Sequence, residues 1–176
     1  IPLRTARVMP TQKPHRSVQV VETPWEFIDA VEKRFGKIVF DLAATYDNCK
    51  VRESNYRNKG YCHYGPGSPL AEDALKQDWG KLKGNLWLNP EFGEIKTWAA
   101  KCDATPRVVG RNILFLIPAS VGSNWWAEFV DRKARVLFTS PRLTFVSHTQ
   151  SYPKDLALCI YGGVKYVPGY ECWRWK

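Results

Sequence analysis

No stretch of this chain is apolar for long enough to cross a bilayer, since the longest candidate, Ile113 to Ala119, is strand-sized and contains Pro118. The basic N-terminus lacks the apolar core of a signal peptide. No internal repeat is visible. The five cysteines are odd in number and form no close pairs, which points to reduced thiols in a cytoplasmic protein rather than to a disulfide framework. Cys49, Cys62 and His63 could be argued into a metal site, but their spacing matches no zinc pattern, so no metal is expected. A chain that opens on Ile1 is expected to lack its initiator methionine or a longer leader. Acids are missing altogether from residues 1–20, where Arg4, Arg7, Lys13 and Arg16 share the segment with three prolines. That composition reads as an extended basic arm, either idle or in contact with DNA.

What remains, residues 21–176, is enough for one domain with a full core and too little for a catalytic domain beside a large recognition domain. Lys and Arg number 26 against 17 Asp and Glu, a formal charge of +9 that favours a polyanionic partner such as nucleic acid and leaves open a merely basic protein. Eight Trp, eight Tyr and eight Phe supply more rings than a core of this size needs, so some are candidates to stack on bases.

The organisation sharpens at "TPWE". Thr23 at an N-cap, Pro24 at N1 and Glu26 at N3 predict a capping box, and Phe27, Ile28, Val31 and Phe35 then fall on one helical face up to Gly36. Ile38 to Phe40 follow as a buried strand ending in Asp41. Residues 46–84 are polar and turn-rich, with a short strand expected within Val51 to Tyr56 and another element in Ala74 to Trp79. Gly65-Pro66-Gly67 reads as a turn rather than a phosphate cradle. Leu86 to Leu88 form a second strand that breaks at Asn89-Pro90-Glu91-Phe92, where open α/β sheets place their ligands. A helix from about Glu94 to Asp103, a strand from Asn112, a helix near Ser123 and strands from Ala134 and Asp155 complete the alternation. Such alternation predicts a doubly wound, mostly parallel α/β sheet, and "RLTFV" from Arg142 suggests an antiparallel edge or hairpin at the C-terminal end.

Each of these pieces has an ordinary structural reading, but as an ordered set they resemble the phage-type DNA adenine-N6 methyltransferases (Dam-like). The resemblance runs from about Val21 to Gly162 and rests on the Thr-Pro helix start, the Asp-x-Ala-Ala strand end, "QDW", the Asn-Pro-x-aromatic motif, "FLIPA" and "RLTF". It implies a Rossmann-like methyltransferase fold with S-adenosylmethionine as cofactor and no catalytic metal. It also implies roles: Thr23 and Pro24 beside the methionine end, Asp41 beside the amino-acid moiety, Ala43 and Ala44 giving clearance in place of an absent Gly-x-Gly, Asp78 accepting from the cofactor's adenine amino group, and Trp79 packing near that ring.

An adenine N6 is conjugated with its ring and is a poor nucleophile. Its two hydrogens need acceptors as the nitrogen pyramidalises in line with the methyl group. The resemblance assigns those acceptors to the Asn89 side-chain oxygen and the Pro90 carbonyl, with Phe92 stacking on a base flipped out of double-stranded DNA. Glu91 departs from the family, which usually has a second proline there. Its charge faces solvent, pairs with Lys96 or Arg111, or marks a substrate site that has lost or changed its activity. The implied substrate is DNA, contacted also by Arg4, Arg7, Lys13 and Arg16, and the implied setting is the host cytoplasm if the protein is phage-encoded, with a monomer expected. The alternatives are an inactive methyltransferase-fold protein that binds nucleic acid or inhibits a partner, and an amino-methyltransferase acting on RNA or a small molecule.

Overall fold

The computed structural model describes residues 21–52, 61–146, 148–163 and 165–176. The basic arm, with Arg4, Arg7, Lys13 and Arg16, and most of the segment from Val51 to Tyr56 lie outside these residues.

Helix α1, Trp25–Phe35, buries Phe27, Ile28 and Val31 on one face and stops at Gly36. The glycine's φ of 95° belongs to the left-handed region, and its N–H closes on Glu32 O at 2.9 Å. The helix starts differently from the expected capping box. Pro24, not Thr23, occupies the N-cap with no side-chain cap bond, and its carbonyl receives the N–H groups of Phe27 and Ile28 at 3.1 and 3.3 Å. The Thr23 hydroxyl is engaged elsewhere, as shown below.

Six strands, β1 (Ile38–Asp41), β2 (Gly84–Leu88), β3 (Arg111–Pro118), β4 (Arg135–Ser140), β5 (Leu156–Tyr161) and β6 (Gly169–Arg174), form one sheet in the order β1-β2-β3-β5-β4-β6. The first three run parallel, in the register Phe40 to Leu86 and Leu86 to Ile113. Alternate residues serve opposite faces. Leu86, Leu88, Ile113, Phe115 and Ile117 pack under α2 (Ile95–Ala104) and α3 (Asn124–Phe129), whereas Trp87, Leu114, Leu116 and Leu158 pack with Phe27, Ile28 and Val31 of α1. Helices therefore cover both faces, as continuous apolar strands require. Each fully buried large side chain contributes about 1.5–3 kcal/mol to this double core.

The expected antiparallel C-terminal edge is corrected. The antiparallel strand is β5, which lies inside the sheet between β3 and β4, and the edge strand β6 pairs parallel with β4. Burial explains the difference: β5 (LALCIY) is buried at every position, as only an interior strand can be, while β6 (GYECWR) has only Trp173 fully covered. "RLTFV" is irregular. Its Leu143 and Phe145 are core residues, but the Leu143 carbonyl accepts from Tyr152 N–H at 2.7 Å and Val146 N–H donates to Glu22 O at 3.1 Å, so loop bonds replace a strand ladder. The segment from Ala74 to Trp79 holds two short 3-10 turns, Ala74–Lys76 and Trp79–Lys81.

Candidate active site

The carboxyl ends of β1 and β2 open into a cavity of about 430 Å³, walled by the β1 exit (Leu42 to Thr45), by Tyr64 to Pro66, by Glu72 to Ala74, and by Asn89, Pro90 and Glu91. Its position follows from the sheet. Parallel β1 and β2 end side by side, and each chain turns away there, leaving a crevice.

Asn89 is held from the N-terminal side of α1. Its Nδ2 donates to Val21 O at 2.7 Å and to Thr23 Oγ1 at 3.0 Å, which commits both amide hydrogens and fixes which way the amide faces. The opposite end, Oδ1, is shielded from solvent and has no hydrogen-bond partner among the described residues. A buried acceptor in that condition costs about 1–3 kcal/mol unless a donor arrives. Thr23, only 1 % exposed, thus serves Asn89 rather than its own helix.

Thr23 and Asp41 do not reach the main cavity. They line a small adjoining hollow of about 20 Å³, which Ala43 and Asn89 share with the larger one. The Asp41 carboxylate accepts from Ala43 N at 3.2 Å and from Lys50 N at 2.9 Å, tying the loop after β1 to the strand end. Burial pushes its pKa up to about 6, with those two backbone donors and the Lys50 charge opposing the rise. Lys50 itself pairs with Glu22 at 2.7 Å and lies over the Trp25 ring. The segment preceding α1 and the loop following β1 are therefore locked together beside Asn89.

Gly65 forms the opposite wall. Its φ is 140°, and a Cβ there would stand 2.0 Å from Ala44 O, so only glycine allows the two loops to approach this closely. Tyr64 packs edge-on against Phe40 at 4.8 Å, and burial followed by the Asp78 charge raises its phenol pKa.

The remaining expected residues are distributed as follows. Pro90 is buried on the cavity wall, and Glu91 is an exposed wall residue. Glu91 pairs with neither Lys96 nor Arg111. Arg111 is buried and donates instead to the carbonyls of Gly80, Leu82 and Pro106. Phe92 is half-buried outside the wall, with Tyr152 edge-on to it at 5.8 Å. Pro24, Asp78 and Trp79 lie outside both hollows. Asp78 is exposed and caps a 3-10 turn through Gly80 N at 2.9 Å, while Trp79 is core, donating to Ala74 O and stacking on Trp98.

Sequence reasoning missed the acids that do reach the cavity: Glu72, Asp73 and Glu94, which with Glu91 place four carboxylates around it. The "EDAL" run could have signalled them, because Asp73 caps the turn at Ala74 and so turns that segment toward β1. Four carboxylates in a protein of charge +9 suit a cationic ligand.

A family model for DNA N-6-adenine-methyltransferase (Dam) matches residues 11–157. The chain belongs to this family. A curated relative, the DNA N-6-adenine-methyltransferase of Escherichia phage T1, is 29% identical over 154 residues. That alignment covers 87% of this chain and 58% of the relative, so the chain spans rather more than half the relative's length. No solved structure matches. The family match includes the whole cavity wall, from the β1 exit to Glu94. No helix among the described residues is long and apolar enough to cross a membrane.

Proposed function

We propose that the chain is a DNA adenine-N6 methyltransferase that uses S-adenosylmethionine and builds its reacting centre around Asn89. The observation that carries this reading is the Asn89 Oδ1, a buried acceptor held in place from behind by two hydrogen bonds and lacking a donor. An exocyclic amine supplies the missing donor. As that amine changes geometry, its hydrogens become more acidic and its bond to a fixed acceptor strengthens, which is how a preorganised amide favours the transition state over the ground state. The Pro90 carbonyl takes the second hydrogen. Phe92, with Tyr152 against it, offers the aromatic surface for a base turned out of the duplex.

The cavity fits the proposed cofactor in size and charge. Its volume falls in the range of small-molecule sites, and its carboxylates suit a ligand with a sulfonium and an ammonium group. When bound, the cofactor supplies an activated methyl group. Ala43 and Gly65 allow its close approach, and Glu72 or Asp73, which line the cavity, meet its polar groups rather than Asp78, which lies outside it. Thr23 acts as a positioning residue for Asn89, and Asp41 holds the loop that carries Ala43. The strand order, with one antiparallel strand inside an otherwise parallel sheet, supports a Rossmann-like methyltransferase fold. The basic arm would add phosphate contacts without sequence preference.

Transfer of labelled methyl to unmodified adenine-containing duplex DNA tests the proposal, with cytosine-only duplex and RNA beside it. Wild type should label the first alone, and Asn89→Ala should lower turnover by about a hundredfold or more while cofactor affinity stays nearly intact. Cofactor binding without methylation of any polymer would move the substrate to another class of amine. Failure to bind cofactor at all would leave a nucleic-acid binder built on the family's fold.

A further inference from the structure

Next to Asp41 the structure gathers three donor groups that the spacing rules pass over. The ligand atoms of Cys49, Cys62 and His63 all lie within 4.8 Å of one another. The two Sγ atoms are 3.6 Å apart. Two thiolates on one tetrahedral zinc, each at about 2.3 Å, stand about 3.8 Å apart, close to the observed separation, whereas a disulfide requires about 2.05 Å. His63 is 1 % exposed, yet neither of its ring nitrogens has a hydrogen-bond partner among the described residues. A neutral imidazole carries one donor and one acceptor, and native proteins satisfy nearly all such buried atoms. A zinc ion takes the lone pair of one ring nitrogen and leaves the other nitrogen's N–H for a separate acceptor.

We propose that Cys49, Cys62 and His63 bind one zinc ion. Two sulfurs and an imidazole select a borderline-soft d¹⁰ ion over magnesium or calcium, which demand oxygen ligands. Three donors among the described residues leave one position of the tetrahedron for a fourth ligand. Uptake exchanges the two thiol protons, released to solvent, for two zinc–sulfur bonds. The role is structural. The Cys62 carbonyl accepts from Asp41 N at 2.8 Å, and Tyr64 N donates to Asp41 O at 3.0 Å, so Cys62–His63 is an added rung at the end of β1. Cys49 lies in the loop that follows β1. An ion at this point closes that loop beside Ala43 and Tyr64, two of the cavity's walls.

The full chain, purified without chelators and with reduced thiols, would be analysed for metal by mass spectrometry, then stripped and titrated with zinc against a chromophoric chelator. The expected result is one zinc per chain, a higher melting temperature with zinc, and at least a tenfold loss of affinity in Cys49→Ser and in His63→Gln. Cobalt substitution of wild type gives an independent readout: a thiolate-to-cobalt charge-transfer band requires sulfur ligation and depends on no variant folding. The proposal fails if wild type takes up no stoichiometric zinc, if cobalt shows no such band, or if the folded variants bind zinc as tightly as wild type. Three free thiols instead of five in non-reduced protein would overturn it in favour of a Cys49–Cys62 disulfide. Because metal content is read without any methyl-transfer assay, this outcome is separable from that of the methyltransferase proposal.

Discussion

Thr23→Val removes one oxygen acceptor and almost nothing else, which makes it a sharp test of how the site is held. The two side chains are nearly isosteric, and position 23 is 1 % exposed, so the valine fits without a new cavity. Asn89 Nδ2 then keeps its bond to Val21 O and loses the one to Thr23 Oγ1. One buried amide hydrogen left unpaired costs about 1–3 kcal/mol. In a chain of this length that lowers the melting temperature by about 2–4 °C for each kcal/mol. Turnover should fall as well, because the amide is no longer pinned on both sides. If the whole cost reappears in the barrier, each 1.36 kcal/mol is about tenfold, so a reduction of about ten- to a hundredfold is expected. Calorimetry should show cofactor affinity nearly unchanged. The double variant decides the assignment: with Asn89→Ala already present, Thr23→Val should cost little further turnover, since neighbours that act as one unit are non-additive. Additive losses, or a weakened cofactor with normal turnover at saturation, would refute the positioning role and return Thr23 to direct contact with the ligand.

The raised pKa of Asp41 fixes the sign of a pH effect. The folded protein holds this proton up to about pH 6 and the unfolded chain only to about 3.8, so the group's contribution to stability is present at low pH and lost as pH rises through 6. From this group alone, denaturant midpoints should show wild type roughly 1 kcal/mol more stable at pH 5 than at pH 7, and Asp41→Asn should abolish that difference; a wild-type difference that survives in Asp41→Asn would assign it to another group. Gly65→Ala forces a Cβ against Ala44 O at a left-handed φ, so it should destabilise by roughly 2 kcal/mol or more and weaken cofactor binding through the shared wall, whereas a variant with wild-type melting temperature and affinity would show the two loops to be free to separate.

The alternating part of the fold was legible because its apolar runs are unambiguous. "IVF", "LWL" and "NILFLIP" can be little but buried strands, and Gly36 ends α1 where a glycine with positive φ should. The closing strands were harder. Nothing in "LALCIY" says whether it runs with or against its neighbours, since burial on both faces looks the same in either direction, and β6 alternates with Tyr170, Glu171 and Arg174 in a manner common to edge strands and loops. In the site, Asn89 and Pro90 were legible as a motif, but their support was not. Thr23 reads as a helix cap from its neighbours, and only the fold reveals a partner 66 residues away. Asp73 and Asp78 are equally plausible cavity acids by sequence. Each caps its own 3-10 turn, and the relative placement of those turns, which no local pattern encodes, decides that only Asp73 faces the cavity.

The charge distribution joins the two proposed ligands to one surface. A formal charge of +9 acts over a Debye length of about 8 Å at physiological salt, so it draws a polyanion toward the protein without selecting a point on it. The carboxylates of Glu72, Asp73, Glu91 and Glu94 act at shorter range, around one cavity. A phosphate backbone is therefore attracted to the protein and repelled from the cavity, while a small cation is favoured inside it. Unlike the phosphates, an uncharged base can approach Asn89 past those carboxylates without charge–charge repulsion. At that position an unpaired Oδ1 rewards a group that brings an N–H. On the proposed function, the sorting of cationic cofactor, anionic backbone and neutral amine follows from where the acids lie and from the unsatisfied Asn89 Oδ1.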